Sequence, residues 1–164
     1  MNIEAMKQMV RVLSTVRDTP LLAQKFNLSD WLERKFDNDN NSYTTNTAKA
    51  FAEVKDDKDF ILIPHNCGTS ACACGYAGLD AWFRAQNFKT DKNGNIYFGE
   101  FDSWDAVHEF FDINEETAAN LFSGDSYISE EDEDDEESSY ENLVAKVTPQ
   151  MVIDRIEALI ATEA

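Results

Sequence analysis

Residues 65–78, HNCGTSACACGYAG, hold all three cysteines of the chain and one of its two histidines. His65, Cys67, Cys72 and Cys74 are chemically fit for zinc, which takes imidazole nitrogen and thiolate sulfur. Their spacing is not. A structural zinc joins ligand pairs from separate elements, whereas these four candidates crowd into one short stretch. On a helix, Cys72 and Cys74 would project about 200° apart around the axis and could not share an ion. An iron–sulfur cluster needs four suitably spaced cysteines. No metal and no cofactor are therefore expected here.

A nucleophile is the second chemistry to weigh. With Thr69 as N-cap, Cys72 would take the third helical position, where the helix dipole favours thiolate. The run CGTSAC resembles the cysteine-bearing helix start of papain-like proteases, which makes a cysteine-dependent hydrolase using Cys72 or Cys67 the alternative function. The base would have to be His65 or His108, and no short motif marks either one.

Close packing explains more of the residues. Free cysteine behaves as a small hydrophobe. Ala71, Cys74, Gly75 and Gly78 would form a helix face of little bulk, against which another element can pack closely. Glycine inside a helix costs about 1 kcal/mol relative to alanine, so two such positions call for a compensating contact. Cys72, Tyr76, Leu79 and Phe83 form a second, apolar stripe. Gly68 permits a sharp turn from Cys67 into the helix. On this reading Cys67, Gly68, Thr69, Cys72, Cys74, Gly75 and Gly78 are structural residues.

Two further stretches invite a ligand. In KTDKNGNIYFGE, residues 89–100, Asp91, Asn93 and Glu100 match ligand positions of a calcium-binding EF-hand loop, but Lys89 stands where its first aspartate belongs. Asn93-Gly94 between apolar flanks signals a tight hairpin instead. Divalent-cation binding is thus a second alternative. The run Glu130, Glu131, Asp132, Glu133, Asp134, Asp135, Glu136, Glu137 lies within an acidic segment, 125–141, expected to be a flexible loop and a docking surface for a basic partner.

CGTSACACGYA resembles the C-G-T-x-x-C-x-A-G-W-A signature of a family of small uncharacterised phage and bacterial proteins. FDINEETAANLF and the closing TPQMVIDRIEALI resemble later segments of that family, whose last helix reads T-P-x-x-V-I-x-R-I-E. Cys74-Gly75-Tyr76 departs from the family's Ala-Gly-Trp. The resemblance implies phage or mobile-element origin and carries over no functional residue.

The elements that must hold these residues follow from period and caps. Ile3, Met6, Met9, Val10, Leu13 and Val16 recur at helical spacing and predict a helix over residues 3–17. Ser29 is expected to cap a second helix that turns Trp31, Leu32 and Phe36 inward, and residues 45–54 a third. FILI is expected to be a short buried strand. A long helix should run from Thr69 to about Gln86, followed by the hairpin. Ser103 and Asn114 are read as caps of two short helices burying Trp104, Val107, Phe110, Phe111, Ala118, Leu121 and Phe122. Thr148 and Pro149 open the last helix, with a stripe of Val152, Ile156, Leu159 and Ile160. The expected class is α+β, mostly α, as one domain over residues 1–164 with five to seven helices and one small β-hairpin.

Composition narrows the function. The net charge is −18, and residues 61–164 carry five basic against twenty-two acidic side chains. Such a chain repels the phosphate backbone, so direct nucleic-acid binding is not expected. A flexible acidic loop can imitate that backbone, which carries one charge per about 1.7 Å of duplex. No run is long enough to span a membrane, and neither a signal peptide nor a disulfide framework is seen, so a cytoplasmic setting is expected. The expected function is a non-enzymatic acidic interaction protein that binds a basic surface of a host protein.

Overall fold

The structure, a computed structural model, describes residues 1–24, 26–28, 32–34, 69–90, 95–129 and 139–163. It is α+β and mostly helical. Helix α1 spans Ile3–Asp18 and buries Ala5, Met6, Met9, Val12, Leu13 and Val16 completely; of the predicted stripe Met6, Met9, Leu13 and Val16 are buried, whereas Val10 is half-buried and Ile3, in the first turn, is exposed. Its cap, Asn2, accepts from the Ala5 N–H and donates its side-chain amide to the Phe110 carbonyl, while the Asn2 backbone N–H binds the Phe111 carbonyl. The start of α1 is thereby sewn to the end of a helix more than a hundred residues away. Thr19 leaves helical geometry. Pro20, whose fixed φ suits a first helical position, restarts a short α2, Pro20–Ala23.

Strand β1, Leu32–Arg34, pairs antiparallel with β2, Thr69–Ala71, joining Leu32 to Ala71 and Arg34 to Thr69. This corrects two expectations. Leu32 is in a strand rather than a helix opened by Ser29, and Thr69 is paired backbone rather than an N-cap. The expected helix over 45–54, the FILI strand, His65, Cys67 and Gly68 lie outside the described residues.

The long helix expected from Thr69 to Gln86 is two helices, α3 at Ala73–Leu79 and α4 at Ala81–Ala85. Cys72 caps the first, its sulfur accepting from the Gly75 N–H at 3.3 Å. Asp80 breaks the second away: it adopts extended backbone, accepts from the Trp82 N–H at 3.0 Å and receives Arg11 of α1 at 2.7 Å. A carboxylate held by a cap and an ion pair outweighs one more helical hydrogen bond.

Phe88–Thr90 (β3), Ile96–Phe98 (β4) and Phe101–Asp102 (β5) form an antiparallel sheet in that order, so the predicted hairpin gains a third strand. Helix α5, Ser103–Phe111, packs across it. The cap of α5 is Asp102 rather than Ser103, which is itself inside the helix at φ 51. Helix α6, Glu115–Phe122, starts as predicted at Asn114, whose side chain accepts from the Thr117 N–H. A 3-10 turn, Gly124–Tyr127, and a short α7, Tyr140–Val144, precede α8, Pro149–Glu163. The Thr148 hydroxyl accepts from the Met151 N–H at the start of α8. Val152, Ile153 and Ile156 of α8 are buried and Leu159 and Ile160 half-buried; α8 packs along α1.

Phe83, Phe88, Phe110 and Phe111 form the centre of the core, with ring centroids 4.6 to 6.0 Å apart. Trp82, Phe98 and Phe122 pack around them. No helix among the described residues is long and apolar enough to cross a membrane.

Candidate functional site

Cys72 is 2% exposed and Cys74 fully buried, both in the main hydrophobic cluster. Burial, with a smaller contribution from Cys72, holds the Cys74 thiol well above its ordinary range. Activation of a nucleophile requires the opposite shift. Tyr76, in the same helix, donates its hydroxyl to the Leu22 carbonyl and is likewise raised by burial. Gly78 is where the small-residue face meets a neighbour. A Cβ there would lie 2.0 Å from Thr90 Oγ1 and 2.8 Å from the Thr90 nitrogen. One turn earlier, the Gly75 carbonyl accepts from the Thr90 hydroxyl.

The raised thiol makes stability pH-dependent. A group with a higher pKa folded than unfolded contributes stability that is complete below the unfolded value and lost as pH rises through the folded one. Between those values the native chain holds a proton that the unfolded chain has released. Above pH 9.0, the ordinary thiol value, Cys74 is expected to remove stability at up to about 1.4 kcal/mol per pH unit. Urea melts of wild type and Cys74→Ala from neutral to alkaline pH check this. A loss of the same steepness in the variant would assign it to other groups.

The other single-residue candidates are scattered. His108 sits on α5 with its ring 6.3 Å from that of Trp104, and its Nε2 is buried with no hydrogen-bond partner among the described residues. It is not held as a base against either described thiol. Asp91 and Asn93 lie outside the described residues, as do Glu130 through Glu137. Glu100 is exposed in the turn between β4 and β5. The antiparallel pairing of Lys89 with Tyr97 and Thr90 with Ile96 makes this region a hairpin rather than a helix-flanked calcium loop. Among the described residues no group of His, Cys, Asp or Glu is placed to hold a metal.

An open groove of about 360 Å³ between α6 and α8 is lined by Thr117, Leu121, Arg155, Leu159 and Thr162, among others. Arg155, the one cation among its described lining residues, is already engaged. The Arg155 guanidinium donates to the Asn120 carbonyl, to the Ser126 carbonyl and to the Ser126 hydroxyl, and lies 3.5 Å above the Tyr127 ring. Tyr127 donates to the Leu121 carbonyl, and burial pushes its hydroxyl up to about 12 against the opposing pull of Arg155. Arg155 thus clamps the 3-10 turn that leads into the acidic run. Gly124 in that turn packs against Val144 and Tyr140, just beyond the run's other end. Among its described lining residues the groove has no thiol and no acid–base pair.

What the fold does assemble is charge. Between Lys92 and Lys146 the chain carries seventeen acidic residues and no Lys or Arg. Seven of them, Glu100, Asp102, Asp105, Glu109, Asp112, Glu115 and Glu116, fall within residues 100–116 on described backbone, and all seven are exposed. Asp105, Glu109 and Asp112 follow one another at helical spacing, opposite the face of α5 that buries Ala106, Val107, Phe110 and Phe111. Only Asp112 of the seven is ion-paired among the described residues, with the Met1 ammonium at 3.1 Å. Trp104, expected in the core, is instead 37% exposed at the edge of this stripe, and Phe101 is 39% exposed. The individual acids were legible in the sequence; their gathering on one exposed face needed the helix register.

Compared with known proteins, the chain matches no family model, no curated protein and no solved structure.

Proposed function

We propose that the chain is a non-enzymatic acidic interaction protein that docks on a basic surface of another protein, in the host cytoplasm if the chain is phage-encoded. The observation that carries this reading is the exposed carboxylate face over residues 100–116, continued in sequence by the acidic run and free of Lys and Arg throughout. A field of one sign accelerates encounter with a surface of the other sign and repels like-charged partners. Nucleic acid is excluded as a direct ligand by the same field, whereas a protein that normally binds nucleic acid offers the complementary one. The two described thiols are buried, and no described side chain supplies their base, so cysteine hydrolysis draws no support from them.

Charge-driven docking fixes how the complex responds to salt. The screening length falls from about 10 Å at 0.1 M to about 3 Å at 1 M. Pull-downs from host lysate with the tagged full chain are expected to recover a basic protein at low salt, lose most of it at high salt, and release it to competing duplex DNA. Recovery of no partner, or of one indifferent to both treatments, counts against the proposal.

A further inference from the structure

We infer that the 101–109 face binds its basic partner through an arginine side chain stacked at Trp104, with carboxylates alongside taking its charge. This rests on the reading of the chain as an acidic binder and names the group that the face selects.

Two independent features share this stretch. Trp104 and Phe101 are large rings more than a third exposed, in a chain whose other phenylalanines on described elements are buried or half-buried. Trp104 and His108 stand at i and i+4 on α5, between its buried side and the stripe of Asp105, Glu109 and Asp112. Glu100 and Asp102 flank Phe101 in sequence and are exposed too. An exposed indole on a helix that also carries a carboxylate stripe suits one side chain best. Guanidinium is planar and weakly hydrated, so it can lie on a ring while its N–H groups point outward to carboxylates. Ammonium is compact and strongly hydrated, and gains less from the ring. An apolar partner would leave the carboxylates without counter-charge, and an anionic one would be repelled.

The test uses fluorescently labelled oligo-arginine and oligo-lysine of equal length, titrated with the full chain at low salt and read by anisotropy. Wild type is expected to bind oligo-arginine about tenfold more tightly than oligo-lysine, the range that a partly desolvated ring contact supplies. Trp104→Ala should remove that preference while leaving the weaker binding that both peptides share, and Trp104→Phe should keep part of it. Melting curves confirm that each variant is folded; should Trp104→Ala unfold, the Asp105→Asn, Glu109→Gln double variant takes its place and should likewise lower the arginine preference. If wild type binds both peptides equally, or the folded variants keep the full preference, the arginine inference falls and the acidic-binder reading stands. If wild type binds neither peptide, both fall.

Discussion

Phe83→Ala is expected to lower the unfolding free energy by about 4 kcal/mol. Phe83 is fully buried on α4, and its ring meets Trp82 at 5.1 Å, Phe110 at 5.5 Å, Phe88 at 5.8 Å and Phe111 at 6.0 Å. It is the joint where a helix, the hairpin and the helix over the hairpin converge. Truncation removes the ring's transfer free energy and leaves a cavity walled by three other phenylalanines, rigid side chains that cannot collapse into it. A domain of this size holds only about 5–15 kcal/mol in total, so the variant should sit near the limit of folding. The midpoint of thermal unfolding should drop by roughly 10 °C, at about 2–4 °C per kcal/mol for this length. Phe83→Leu retains most of the volume and should cost about 1.5 kcal/mol or less. Urea denaturation with an unchanged m-value would assign the loss to the native state. A cost for Phe83→Ala no larger than that of Phe83→Leu would show that the aromatic cluster is not the core's centre.

Part of that cluster was legible: Phe83 lay on a predicted apolar stripe, and Phe110 and Phe111 on the inward face of a predicted helix whose cap proved to be Asp102. Residues that announce an element through local chemistry were read correctly: α1 itself with Met6, Met9, Leu13 and Val16 of its stripe, Asn114, and the Thr148-Pro149 start of α8. What failed were outcomes decided by a distant partner. Thr69 has the chemistry of a cap, yet pairing with Arg34 across intervening chain draws it into a strand and passes the cap to Cys72, a weak sulfur acceptor. Asp80 looked like one more helical residue until Arg11 reached it from α1. Trp104 was assigned to the core by its spacing, but it stands at the margin of the buried arc of α5, where one step around the helix decides between interior and solvent.

The small-residue reading of residues 71–78 has its sharpest consequence at Gly78. Intrinsic propensity alone makes Gly78→Ala stabilising, by up to about 1 kcal/mol. Contact geometry predicts the opposite sign. The new methyl would meet Thr90 Oγ1 at 2.0 Å, the Thr90 nitrogen at 2.8 Å and the Lys89 carbonyl carbon at 3.2 Å. The hydroxyl belongs to a buried, β-branched side chain with little rotamer freedom. The nitrogen and carbon belong to β3, which the ladder to β4 holds in place. Relief therefore requires α3 and β3 to separate, and overpacking of this kind costs about 1–3 kcal/mol or more. With backbone as the obstacle, the upper part of that range should prevail, for a net loss of about 2 kcal/mol after the propensity gain. Thr90→Ala separates the two obstacles. It removes the nearer contact and leaves the backbone one, so in the double variant the Gly78→Ala penalty should shrink without vanishing, a coupling that a double-mutant cycle in urea measures directly. If Gly78→Ala instead melts at or above wild type, α3 does not rest on the hairpin at this point. The two glycines would then be an uncompensated weakness in the helix, and the buried sulfurs beside them would need another reason to be there.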